Sequence, residues 1–197
     1  MAKELSVHVV PFRLAIKDGG RFATGFHLNY KEKTYIVTNR HVCDAQRRVY
    51  NHDHIQFGDY VGEIIKIDDV HDLCLVTSNR NKGLTLAEEQ SQPLDKVTVI
   101  GFPRGLGKTV REGRVVEMVP IWAPWLQSNG LMTFRKRTMV DTYQISTIAY
   151  GGNSGSPILN ENGKVTGVLF AGSRTYHTET YIVPLSYLKL FLALNAK

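Results

Sequence analysis

The sequence predicts an all-β protein, a barrel or sandwich, with one helix at its C-terminal end. Three observations predict it. Short apolar-alternating runs recur along the whole chain, the period of half-buried strands. Clusters of Gly, Asn, Asp and Pro separate those runs as turns do. The period changes only after Pro184, where Leu185, Leu188 and Leu192, with Leu190, Phe191 and Leu194, fall at helical spacing.

The strands are expected in order. Leu5 to Ile16 reads as a first strand with a break at Pro11, and Asp18-Gly19-Gly20 as a turn. Phe22 to Tyr30 and Thr34 to Thr38 form a pair joined by Lys31-Glu32-Lys33. Ile55 to Phe57, Gly62 to Ile67 and Leu73 to Thr77 follow. Residues 79–93 are polar and contain Gly and Pro, so they read as a linker between halves. The boundaries drawn on it are a unit at 1–85 and a second at 92–197. The second half runs through Val97 to Phe102, Thr109 to Val119, Leu131 to Tyr143, Pro157 to Leu159, Lys164 to Ala171 and Thr178 to Val183. Pro120 to Gly130 holds both tryptophans, Trp122 and Trp125, beside two prolines and reads as an extended loop or hairpin tip.

Composition narrows the function classes. With 197 residues, 43% of them hydrophobic, the chain can bury one core or two small halves. No apolar run approaches the ~20 residues of a membrane-spanning helix, and the N-terminus lacks the apolar core and cleavage site of a signal peptide. Two cysteines, Cys43 and Cys74, are too few for a disulfide scaffold, so reduced thiols and a cytoplasmic location are expected. In a viral protein that would be the host cytoplasm. The formal charge of +6 allows attraction to acidic partners. The basic residues are mostly scattered, with clusters only at Arg135-Lys136-Arg137, Arg47-Arg48 and Arg111/Arg114. No nucleic-acid-binding motif accompanies them, so nucleic acid is not expected as a partner, and a membrane is not either.

Chemistry concentrates at Tyr150-Gly151-Gly152-Asn153-Ser154-Gly155-Ser156-Pro157. A serine between glycines leaves its hydroxyl uncrowded, and the turn can aim successive N–H groups into one space. Alone, such a loop reads equally well as a hairpin without chemistry. Three other segments are expected to converge on it. Thr38-Asn39-Arg40-His41-Val42 ends a β-rich run in a histidine, held by a short helical turn. Asp72-Leu73-Cys74-Leu75 sets an aspartate before an apolar strand, and Ile100 to Gly107 is a glycine-rich hairpin. A serine hydroxyl needs a base, and the base needs a group that fixes its tautomer. The order His, Asp, Ser is one of the known triad orders. Asp68 and Asp69 compete with Asp72 as orienting group, and His71 competes as base, although strand alternation turns it away from its neighbour. Cys43 reads as a buried thiol. His8, His27, His52, His54 and His177 lack a motif, and His52-Asp53-His54 is too sparse for a metal site. No metal or cofactor is expected.

These residues resemble the trypsin-like (chymotrypsin-fold) serine peptidases, most closely the compact protease domain of HtrA-type enzymes. Thr24-Gly25-Phe26, Thr38 to Val42, His71 to Leu75, Val99 to Pro103 with Thr109-Val110 and Gly113, Gly152 to Pro157 and Gly163 to Gly172 each resemble a family motif. The resemblance spans about residues 20 to 190. It implies two six-stranded antiparallel β-barrels and a C-terminal α-helix. It further implies Ser154 as nucleophile, His41 as general base and acid, Asp72 as orienting carboxylate, and the N–H groups of Gly152 and Ser154 as oxyanion hole. The reaction would be hydrolysis of peptide bonds in a protein or peptide substrate through an acyl-enzyme. Ser156 replaces the second glycine of the serine motif. Asn153 replaces the aspartate that pairs with a newly cleaved N-terminus in secreted members, so activation by N-terminal cleavage is not expected. No peptide-binding domain is expected after the helix, where HtrA enzymes carry one. Cys43 and Cys74 lie close to the two triad partners, so a disulfide is geometrically open to them but disfavoured by the compartment.

The resemblance also places the specificity pocket at Ile148, the strand Phe170-Ala171-Gly172 and the final strand with Glu179. Ile148 argues against simple trypsin specificity and for an apolar pocket, while Glu179 could instead select a basic residue and His177 an acidic one. Phe170 to Gly172 should pair with substrate as an added strand. The alternative reading is a latent or inactive module of this fold that binds a protein or nucleic acid, or awaits an activating partner.

Overall fold

The computed structural model describes the backbone of residues 1–16, 19–129, 132–172 and 180–197, and side chains there except at 16, 19, 122–129, 132–140 and 171–172. Strands dominate. The first six are β1 (Val9–Ile16), β2 (Gly19–Tyr30), β3 (Lys33–Thr38), β4 (His54–Phe57), β5 (Tyr60–Asp68) and β6 (Leu73–Thr77). They close a barrel in the order β1-β2-β3-β6-β5-β4, with Phe12 opposite Phe57 at the closure. The second barrel holds β7 (Lys96–Gly101), β8 (Thr109–Asn129), β9 (Met132–Ile145), β10 (Pro157–Leu159), β11 (Val165–Gly172) and β12 (Thr180–Pro184). It closes in the order β10-β11-β12-β9-β8-β7. Every strand pairing is antiparallel, so the two six-stranded barrels implied by the resemblance are present. Closure leaves few open ladder edges.

Three helices complete the described chain: α1 (Ala2–Leu5), α2 (Arg40–Tyr50) and α3 (Leu185–Asn195). α3 follows the expected apolar positions in part. It buries Leu185, Leu188, Phe191 and Leu192, while Leu190 and Leu194 remain exposed. Its buried face joins a core that includes Phe26, Leu28 and Leu75 of the first barrel and Val168 and Val183 of the second. The last residue reaches back to the first barrel, where the Tyr35 hydroxyl and the Lys33 ammonium both donate to the Lys197 carbonyl. Among the described residues, no helix is long and apolar enough to cross a membrane.

Several expectations need correction. The chain does not begin as a strand at Leu5: α1 and a 3-10 turn at Ser6–His8 precede β1. Pro11 does not break β1. It pairs with Thr24 within the β1–β2 ladder, and its carbonyl accepts the Gly58 N–H. Residues 79–93 run between the last strand of the first barrel and the first strand of the second, and they dock on both. Leu84 exchanges backbone bonds with His27 and Asn29 of the first barrel, and two residues on, Val165 of the second barrel bonds Thr85 and Ala87. The segment with both tryptophans is part of a long ribbon of β8 and β9, with Pro120 opposite Asp141 and Pro124 opposite Arg137. The helix that holds His41 runs for 11 residues rather than one turn.

The thiols expected to be free are bonded: Cys43 of α2 and Cys74 of β6 form a disulfide buried in the first barrel. Closing a loop with a sequence separation of 31 restricts the unfolded chain by an amount worth about 3–4 kcal/mol. Replacing both cysteines with alanine is expected to lower unfolding stability by that order in urea titration. A titration unchanged by the substitution and by added reductant would contradict a bonded pair.

Candidate active site

Thr24, in the middle of β2, joins the two barrels. It is fully buried, and each of its polar groups has a partner. Its N–H donates to the Ser154 carbonyl at 2.8 Å. Its carbonyl accepts the Thr38 hydroxyl at 2.8 Å. Its own hydroxyl donates to the Gly152 carbonyl at 2.8 Å and accepts the Phe102 N–H at 3.1 Å. The serine loop, the 101–107 turn and the strand that feeds His41 therefore meet at one residue.

The loop itself is held from within. The N–H groups of Asn153, Gly155 and Ser156 donate to Tyr150, Leu169 and Asn153 carbonyls respectively. Those of Gly152 and Ser154 donate to no carbonyl among the described residues. Gly152 adopts φ +99 and Gly155 φ +89, conformations that disfavour a side chain. A Cβ on Gly152 would also lie 2.6 Å from the Arg104 nitrogen. The sequence thus leaves two N–H donors around a half-buried serine.

The other half of the site is a clamp between α2 and the turn before β6. Asp72 is buried, with φ +57, a region Asp tolerates better than most residues. One carboxylate oxygen accepts the His41 backbone N–H at 2.9 Å. The other lies 2.7 Å from His41 Nδ1. Both contacts sit in the first turn of α2, where unpaired N–H groups favour an anion. Asn39 donates its side-chain amide to the Asp72 carbonyl, and Arg40 donates to the Asp69 carbonyl and to Asp44. The Cys43–Cys74 bond lies two residues beyond each member of the pair. Among the described residues, the Ser154 hydroxyl makes no hydrogen bond of its own.

The rival residues are engaged elsewhere. His71 pairs with Asp68 at 3.0 Å and stacks on Tyr187. Asp69 meets Arg40. His27 bonds Ser78, and burial pulls its pKa down to about 4. His41 has the opposite shift. Burial works to lower its pKa, but the Asp72 charge and hydrogen bond, with Asp44, raise it above the ordinary 6.5. Its side chain still keeps 48% of its surface open.

Ile148 is half-buried just after Thr147, whose carbonyl accepts the Thr180 hydroxyl from the start of β12. Phe170 lies at a register irregularity in β11, and Ala171 and Gly172 pair with Tyr181 and Thr180. Glu179 and His177 lie outside the described residues, as do the side chains of Trp122, Trp125, Arg135, Lys136 and Arg137. Among the described residues no group of His, Cys, Asp and Glu is arranged to hold a metal ion. Sequence reasoning missed Thr24 and Asn39 as holding residues. Their signal was a polar residue inside an apolar run and an Asn directly before a helix.

Residues 23–168 match the family model of the trypsin-like peptidase domain. The chain belongs to that family. Among curated proteins it is 28% identical over 173 residues to the magnetosome formation protease MamE of Magnetospirillum gryphiswaldense, covering 80% of this chain and 20% of that protein. The MamE of Paramagnetospirillum magneticum is likewise 28% identical, over 174 residues, with 22% of its length covered. The chain thus spans about a fifth of the length of these relatives. Among solved structures, the active form of the Rv3671c protease from M. tuberculosis superposes with a TM-score of 0.77 at 20% identity, over 99% of this chain and 83% of that one. The HtrA-type protease AlgW with tripeptide gives 0.69 at 18% identity, over 98% of this chain and 61% of that one.

In this member of the trypsin-like family, Thr24→Val keeps the shape of the side chain and removes its hydroxyl. It orphans the Phe102 N–H and the Gly152 carbonyl, at about 1–3 kcal/mol for each buried group. A loss of that order in chemical denaturation is expected, with Thr24→Ser close to wild type. Equal stability of the valine variant would show that the hub carries no load.

Proposed function

We propose that the chain is a serine endopeptidase, cleaving peptide bonds in protein or peptide substrates through an acyl-enzyme. The observation that carries this reading is the double contact of the buried Asp72 carboxylate with the His41 N–H and Nδ1. That contact fixes the ring with its other nitrogen free for a proton. In this reading Ser154 is the nucleophile. His41 takes its proton on attack and returns it to the leaving amine, and Asp72 stabilises the positive ring without becoming protonated. The unused N–H groups of Gly152 and Ser154 form the oxyanion hole. Such donors are each worth roughly 3–4 kcal/mol of transition-state stabilisation.

The substrate backbone pairs with the edge of Phe170–Gly172. The half-buried Ile148 supports an apolar residue on the acyl side of the scissile bond. The Cys43–Cys74 bond removes the ground for expecting a cytoplasmic site of action, because such bonds persist in oxidising compartments.

The test is kinetic. Ser154→Ala and His41→Ala should abolish turnover of a peptide library that wild type cleaves, and Asp72→Asn should lower kcat by about 10⁴. The base must be neutral to accept a proton. Since Asp72 raises the His41 pKa, kcat/KM should fall as pH drops through a value above 6.5. In Asp72→Asn the remaining activity should hold to lower pH. Wild-type turnover that survives Ser154→Ala would sink the proposal.

A further inference from the structure

Beside the serine loop lies a cavity of about 390 Å³ whose lining includes Arg104, Lys108, Arg111, Leu106 and Tyr150 and no carboxylate. The two guanidinium groups lie over the Tyr150 ring, at 4.8 Å for Arg104 and 5.3 Å for Arg111. Among the described residues neither forms an ion pair, and Lys108 donates to the Ser6 carbonyl. The Arg111 Nε is buried and has no hydrogen-bond partner. A buried charged donor without a partner is costly, and three cations on one wall also repel one another. An anion in the cavity would relieve both.

The position of the cavity identifies the anion. The Gly155 N–H bonds the Leu169 carbonyl, so β11 meets the serine loop just after Ser154. The Arg104 N–H bonds the Gly151 carbonyl at 2.6 Å, so the basic turn meets it before Ser154. If the acyl half of a substrate pairs with Phe170–Gly172, the leaving half passes toward Arg104 and Arg111. We infer that Arg104 and Arg111 form a leaving-side subsite that selects substrates with an acidic side chain, Asp or Glu, just after the scissile bond. This rests on the serine-endopeptidase reading. Tyr150 holds the two cations in place by cation–π contact, and Arg111 offers a carboxylate a charge-assisted hydrogen bond.

The experiment uses quenched fluorescent peptides identical up to the scissile bond, with Asp, Ala or Lys at the first three leaving-side positions in turn. Wild type should cleave one Asp peptide about tenfold faster in kcat/KM than its Ala counterpart, the order expected of a hydrogen bond to a charged group. The Lys peptide should be slowest. The Asp/Ala ratio should fall close to one in Arg104→Gln/Arg111→Gln and stay unchanged in Arg48→Gln, which lies on another element. The Ala peptide corrects for any general damage to the fold. Equal rates for Asp, Ala and Lys peptides in wild type, or a ratio indifferent to the double substitution, would overturn the subsite. Absence of turnover with every peptide would instead overturn the peptidase reading, and the subsite with it.

Discussion

One buried threonine sets the geometry that everything else uses. Thr24 bonds the serine loop through its N–H, the 101–107 turn and Gly152 through its hydroxyl, and Thr38 through its carbonyl. Two barrels that pack through apolar side chains alone can slide, because hydrophobic contact is non-directional. Directed bonds at a fully buried residue fix the register between them. The barrels are also tied by the strap at residues 84–87 and by the C-terminal helix. These ties lie away from the serine and set the packing. Thr24 sets the distance between the loop and the segment that carries His41.

The second constraint is local to the first barrel. α2 begins where β3 ends, and its cap residue and first two residues all grip the turn before β6: Asn39 on the Asp72 carbonyl, Arg40 on the Asp69 carbonyl and His41 on the Asp72 carboxylate. The Cys43–Cys74 bond then closes the same junction covalently. Asp72 holds a left-handed backbone conformation at the centre of this clamp. Strain of that kind costs of order 1–3 kcal/mol and persists only where the surroundings over-determine it. Here the surroundings do so from several directions. A carboxylate held this way can keep one ring tautomer of His41 without moving.

Much of this was legible in the residues. Period-2 alternation located most of β2, β3, β6, β7, β10 and β11, because those strands are buried on at least one face. The helical period located α3. The Ser, His and Asp segments were legible through motif and order, each at a strand end. What failed has physical reasons. Met1 to His8 alternates like a strand but has no partner to pair with, so it coils into α1 and a 3-10 turn. The polar composition of 79–93 hid that it docks through its backbone and through a few side chains, among them the buried Leu84 and the Gln90 amide. Prolines 120 and 124 suggested an extended loop or a hairpin tip; the segment is the outer end of the β8–β9 hairpin, where β8 pairs only with β9 and one side of such a ribbon needs no proline donor. The disulfide was misjudged because compartment was inferred from cysteine count. The proximity of Cys43 and Cys74 to His41 and Asp72 had left the pairing geometrically open, and the packing of α2 on β6 makes it.

The central claim is that Ser154 is an activated nucleophile facing an oxyanion hole. The most direct measurement is reaction of the purified, folded protein with a fluorophosphonate, followed by peptide mapping of the adduct. The account predicts stoichiometric modification at Ser154 alone, lost in His41→Ala. A folded protein left unmodified, or one modified at another serine, would contradict it.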